Sequence, residues 1–234
     1  MYKRIGVSKT LSQRIEEEIE AAIGSKTLKP GEKLPTEIEL SKSYGVSRNA
    51  LREALRSLNS KGLIRIEKGR GMFVNEYSLS KAMSTVNLFL EMNASRDNFL
   101  QVIRLRQMFE PHIAAAASQH RTEEDLKHIL KTVEAMANCQ PDDLRKEALE
   151  DNRFHHLIAE ASHNFAVSVV MSPIYTLMPK FVDYIYGKTE NMKEITLQYH
   201  WKIYRAIEAQ NEYDVRRFMK EHLGYTEKIF LNLF

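Results

Sequence analysis

The chain has 234 residues, 43% hydrophobic and 28% charged, enough for two globular domains with the composition of a soluble protein. No run approaches the roughly 18 apolar residues of a membrane span, and the basic start "MYKRIGVSKT" leads into no apolar core, so neither a span nor a signal peptide is expected. The net charge of +3 divides unevenly: residues 1–75 carry 15 Lys+Arg against 9 Asp+Glu, and the remainder 19 against 22, so a basic head that suits a polyanion precedes a mildly acidic body. The single cysteine, Cys139 in "NCQPDD", cannot support a disulfide framework and fits a reducing, cytoplasmic setting.

In chain order, Leu11, Ile15, Ile19 and Ile23 recur at four-residue steps and predict an amphipathic helix, which "GSKTLKPGEKLP" ends. Thr36 and Glu39 form a capping box at the start of a second helix, which Gly45 stops. Ser47 then caps a third, "RNALREALRSLNSK", whose Leu51, Leu55 and Leu58 belong to the core. The period changes in "LIRIEKGRGMFV", where Leu63–Ile66 and Met72–Val74 read as two strands around a Gly69-Arg70-Gly71 turn. Three helices and a two-stranded wing make a winged helix-turn-helix over residues 1–76, with the third helix as the element that enters the major groove. Ser47, Arg48, Asn49 and Arg52 then face bases and phosphates, Arg being suited to guanine and Asn to adenine. Lys68, Gly69 and Arg70 form a wing tip that can approach the backbone closely. Winged helices also serve as protein–protein modules, but charge, helix order and wing together favour DNA.

Residues 77–95, with "NEYSLSK" at their start, read as a linker and the first helix of the body; residues 96–234 read as an all-helical domain. Helices are predicted at 80–92, 96–120, 122–137, 141–162, 165–186, 190–210 and 212–231, broken at Thr122, Pro141, Asn164 and Asn211. The fold class is therefore mainly α.

Within this body, Asp151 and His155 lie one turn apart and interrupt the apolar stripe Leu144, Ala148, Ile158. Asn152 and His156 are expected to face solvent. His200 continues a stripe with Ile203 and Ile207, and His222 interrupts Val215, Phe218, Tyr225 and Ile229. "EAQNEYD" between them reads as a hairpin turn that returns both imidazoles to one height. From spacing alone, the three imidazoles and one carboxylate make either a divalent metal site or a polar core network. Arg106 either enters a pocket, where it could trap a small carboxylate, or pairs with Glu110 at i,i+4 on the surface. Tyr175, Tyr184, Tyr199 and Tyr204 are either cavity liners or core residues, with core the commoner role.

The stretch "LKPGEKLPTEIELSKSYGVSRNALREALRSLNSKGLIRIEKGRGMFV" resembles the DNA-binding domain of GntR-type bacterial regulators over about 45 residues. The resemblance places Ser47, Arg48, Asn49, Arg52, Lys68 and Gly69 at DNA-contact positions. Ile38 departs from it, standing where many members have Arg. "LRQMFEPHIAAAAS", "EDNRFHHLIAEASHN" and "HWKIYRAIEAQNEYDVRRFMKEHL" resemble the FCD domain of the FadR branch. That likeness implies metal ligands at Asp151, His155, His200 and His222, effector contacts at Arg106 and Asn164, and a homodimer on a palindromic operator. It also implies a Zn, Ni or Mn ion and a small carboxylate or hydroxy-acid effector. The expected function is a bacterial, cytoplasmic, metabolite-responsive repressor. A metalloenzyme fused to a DNA-binding head and a regulator with a purely structural metal are the alternatives; no HExxH motif supports the former.

Overall fold

The computed structural model describes residues 9–76, 79–140, 143–179 and 191–233, and the chain divides into two compact units, Met1–Ala82 and Met83–Phe234. The first unit holds α1 (Leu11–Gly24), β1 (Lys33–Leu34), α2 (Glu37–Tyr44), α3 (Arg48–Ser60), β2 (Ile64–Glu67) and β3 (Gly71–Val74). Its helices start where side chains take up orphan backbone N–H groups. Thr36 and Glu39 cap α2 reciprocally, and Ser47 Oγ accepts from Ala50 N at 3.3 Å. Gly45 ends α2 in the left-handed region, at φ +62°, which a residue without Cβ adopts freely. Leu51, Leu55 and Leu58 are fully buried against Ile15, Ile19 and Ile64. Leu11 is exposed: it opens its helix, ahead of the stretch that meets the core.

The wing has three strands, not the expected two. β3 pairs antiparallel with β2, Ile64 opposite Val74, and on its other edge with β1, Lys33 opposite Phe73. At two residues β1 is too short to show an alternation, and its "KPGEKLP" context reads as turn punctuation.

α4 (Leu79–Met92) crosses the boundary between the units. The second unit continues with α5 (Arg96–His120), α6 (Glu123–Ala137), α7 (Leu144–Ala161), α8 (Phe165–Leu177), α9 (Met192–Glu208) and α10 (Glu212–Asn232). Thr122, Asn164 and Asn211 cap α6, α8 and α10 through their side chains. The helix expected over 165–186 stops at Leu177; Met178 is a turn and Pro179 is helical again. The rest of that expectation, Tyr184 included, and the Pro141 break lie outside the described residues. The core joins α5, α6, α7, α9 and α10 through Ala114, Ile129, Phe154, Ile158, Ile207 and Met219. The buried stripe of α10 therefore runs Val215, Met219, His222, Leu223, Thr226, Phe230. Phe218, Tyr225 and Ile229 lie beside it and are only partly buried, a correction to the stripe read from the sequence.

Candidate metal centre and nucleic-acid interface

The residues of the head expected to contact DNA are all exposed. Ser47 is at the N-cap of α3, with Arg48 and Asn49 on the first turn and Arg52 one turn on; all are exposed. Arg52 Nε donates to Glu37 Oε2 at 2.8 Å, a solvent-exposed pair of small strength. At the wing tip Lys68, Gly69 and Arg70 are exposed, Gly69 has φ +77°, and Arg70 pairs with Glu67 at 2.6 Å. Arg48 and Lys68 have no ion pair among the described residues. Ile38 is half exposed.

In the body α7 supplies Asp151 and His155, α9 His200 and α10 His222. One ligand-type atom from each lies within 4.8 Å of the others. All four are buried, His200 completely. The hairpin does return its two histidines to one height, with ring centroids 5.0 Å apart. His155 Nε2 faces His222 Nε2 at 3.1 Å, and His200 Nε2 lies 3.3 Å from Asp151 Oδ1. Phe154 stacks on the His200 ring at 3.9 Å, fixing its plane.

The electrostatics suit a cation. Burial alone would raise the Asp151 carboxyl, but His200, with help from His155 and His222, outweighs it and holds the group anionic. Burial lowers His200 against the opposing pull of Asp151, and burial with the two neighbouring imidazoles lowers His222 further. Each neutral imidazole brings one donor and one acceptor nitrogen, and a carboxylate can take only the donors, so acceptor nitrogens are left over for a cation. His200 Nδ1 and His222 Nδ1 have no hydrogen-bond partner among the described residues. Two ligands about 2.0–2.2 Å from one ion, at tetrahedral or octahedral angles, lie roughly 2.8–3.6 Å apart. The 3.1 and 3.3 Å separations fall in that range, while the set as a whole spreads to within 4.8 Å, so one ion would draw the four side chains slightly together. The donor set, three imidazoles and a carboxylate, fits Zn, Ni or Mn.

Arg106 and Glu110 do form an i,i+4 pair, but it is buried rather than on the surface. Arg106 Nε donates to Glu110 Oε1 at 2.5 Å and both side chains are about 2–3% exposed. Sequence reasoning missed the other half of Glu110: its Oε2 lies 2.7 Å from His155 Nδ1. That contact joins α5 to α7, and no local pattern announces it. Burial would raise the Glu110 carboxyl, but Arg106 and His155 hold it at about 2. Tyr175 is buried near this pair, its Oη without a partner and its ionisation suppressed by burial and by Glu110. Tyr199 packs 5.8 Å from the His222 ring, whereas Tyr204 turns away and donates to Glu208.

Asn164 is exposed, and its side chain accepts from Ala166 N at 3.0 Å as the cap of α8. His156 is half exposed and 3.7 Å from Glu160, as expected; Asn152 is partly buried with an unpartnered Oδ1, contrary to expectation.

A basic winged helix-turn-helix with an all-helical body around a buried polar centre is the build of a transcription regulator with an effector-binding domain. Residues 11–74 match the gntR family of bacterial regulatory proteins and residues 101–225 match the FCD domain. LutR, an HTH-type transcriptional regulator of Bacillus subtilis, is 29% identical over 88% of this chain and 95% of its own length. A putative L-lactate dehydrogenase operon regulatory protein of Escherichia coli is 30% identical over 94% of this chain and 86% of its own. The solved structure of a GntR protein from Streptococcus agalactiae shares the fold, with a TM-score of 0.70 at 23% identity over 93% of this chain and 99% of the other. The chain belongs to the gntR family, with an FCD domain as its body. These relatives and this fold are those of transcription regulators, not of enzymes. No described helix is long and apolar enough to cross a membrane.

Proposed function

We propose that the chain is a metabolite-responsive repressor whose body holds one divalent cation, Zn, Ni or Mn, on Asp151, His155, His200 and His222. A small hydroxy acid or related carboxylate is its effector. The observation that carries this reading is the convergence of four buried ligand-type side chains beside a buried guanidinium, Arg106. When bound, the cation supplies a positive centre that accepts carboxylate and hydroxyl oxygens. Arg106 adds a fixed, planar cation suited to a carboxylate, and Tyr175 a buried hydroxyl free to pair. The name of the Escherichia coli relative, which refers to L-lactate, supports the hydroxy-acid class. Asn164 contributes by fixing the start of α8, the helix that carries Tyr175.

Regulation follows from a homodimer whose two heads read the half-sites of a palindromic operator through Ser47, Arg48, Asn49 and Arg52, with Lys68, Gly69 and Arg70 on the flanking backbone. The effector must favour one head arrangement over the other, or it shifts nothing. An electrophoretic mobility shift on the chain's own promoter region, with the Zn-loaded protein and an L-lactate series, tests the reading. A sequence-specific complex that L-lactate or a related hydroxy acid dissolves supports it. Absence of specific binding contradicts it. A cation that only ties α7, α9 and α10 together is the second reading, favoured by its three-helix span. Effector affinity that survives metal removal with the fold intact would select that reading.

A further inference from the structure

Glu110 occupies a position that the ligand set does not explain. It sits on α5, 2% exposed, and divides its carboxylate between two partners: Oε1 receives Arg106 Nε at 2.5 Å, and Oε2 lies 2.7 Å from His155 Nδ1 on α7. Arg106 Nη2 also reaches Oε2, at 3.4 Å. The His155 ring thus has its two nitrogens committed to opposite sides, Nδ1 toward Glu110 and Nε2 toward His222 Nε2 at 3.1 Å. The Nδ1 contact is short, but it is not aligned as a hydrogen bond in this structure.

We infer that Glu110 is a positioning residue shared by the cation site and the anion site: one oxygen fixes which nitrogen His155 offers to the metal, and the other holds the Arg106 guanidinium. This rests on the metal-and-acid reading above and adds to it a physical link between the two halves. A carboxylate on the far nitrogen of a ligating imidazole sets its tautomer and raises its basicity. With Nδ1–H donated to Glu110, His155 ligates through Nε2, the nitrogen that already faces His222. Each partner competes for the same carboxylate charge. Whatever draws Glu110 toward His155 loosens its hold on Arg106 and frees the guanidinium for an incoming carboxylate.

The test uses the full-length protein, Co(II) as a spectroscopic probe and Zn in chelator competition, comparing wild type with Glu110→Gln. The amide side chain keeps the shape of the carboxylate but loses its charge. The expected result is a loss of metal affinity of roughly 10–100-fold in Glu110→Gln, with the Co(II) band shifted. A change under about threefold with an unshifted band would overturn the inference. Wild type is also measured by long-range imidazole ¹H–¹⁵N correlation of the Zn-loaded protein, the His155 signals assigned with His155→Gln. A protonated Nδ1 with a metal-shifted Nε2 supports the inference, and the reverse pattern overturns it even if Glu110→Gln fails to fold. Wild type that takes up neither Co(II) nor Zn would instead sink the metal reading itself, a distinguishable outcome.

Discussion

Replacing Arg106 by Met should cost the body about 3 kcal/mol, and the cost should depend on Glu110. The guanidinium and carboxylate are both about 2–3% exposed, so removing the cation leaves a carboxylate with only His155 beside it in a dry site. Breaking a buried pair in this way typically costs about 3–5 kcal/mol. The Glu110 carboxyl gives a second measure: it falls from an ordinary 4.5 to about 2 in the folded state. That difference corresponds to about 3 kcal/mol, shared between Arg106 and His155. Because the folded value is depressed, this stabilisation is complete above about pH 4.5 and is lost as pH falls toward 2. In Arg106→Met the lone buried carboxyl shifts upward instead and protonates in mild acid, so the penalty should shrink there. The chain has one tryptophan, Trp201, packed against the core of the body. Urea unfolding of metal-free protein followed by its fluorescence therefore reports the body without the head. Arg106→Met should lose about 3 kcal/mol at pH 7, and the double variant with Glu110→Gln should recover at least about 1 kcal/mol of it. A loss below about 1 kcal/mol, or no recovery in the double variant, would refute the burial argument.

Other perturbations probe different parts of the molecule. Glu147, one turn before Asp151, is buried with an unpartnered Oε1, and burial raises its carboxyl to about 7. A raised folded value means the native state holds the proton more tightly, so metal-free protein should lose stability as pH rises from about 4.5 to 7 and level off above. Glu147→Gln should abolish that decline and be more stable than wild type at pH 8, by up to about 3 kcal/mol; an unaltered pH profile in urea melts would refute this. In the head, Arg48→Ala should weaken operator binding by about 5–150-fold while leaving the melting temperature within about a degree, because Arg48 is exposed and unpaired among the described residues. Fluorescence anisotropy with labelled operator, beside calorimetry, checks both halves. Ser47→Ala removes the α3 cap and should cost about 1 kcal/mol of head stability in a far-ultraviolet circular dichroism melt.

Much of this arrangement was legible because it is written in local patterns. The Thr36–Glu39 box and the Thr122 cap are spelled out within four residues, and the structure forms both. His155, His200 and His222 are legible because they fall on apolar stripes, since a 3.6-residue period fixes which side chains point inward. The hairpin arithmetic worked for His200 and His222 because α9 and α10 are antiparallel neighbours with a short turn. What escaped depended on packing between distant helices. Nothing near Glu110 says that α5 will set it against His155 of α7, and the i,i+4 spacing with Arg106 leaves a pocket role and a surface pair both open. The apolar Phe218, Tyr225 and Ile229 draw the expected stripe of α10 one residue to the side, because Met219, Thr226 and Phe230 hold the more interior positions. β1 needs its partner β3 to exist at all, so two residues of sequence could not reveal it.

The most direct test of the central claim is elemental analysis of purified wild type and His200→Ala after incubation with Zn, Ni or Mn salts and removal of excess metal. The expected result is about one divalent ion per chain in the wild type and a large loss in the variant, with helical content retained. No bound metal in the wild type would contradict the claim and leave Asp151, His155, His200 and His222 as a buried polar network.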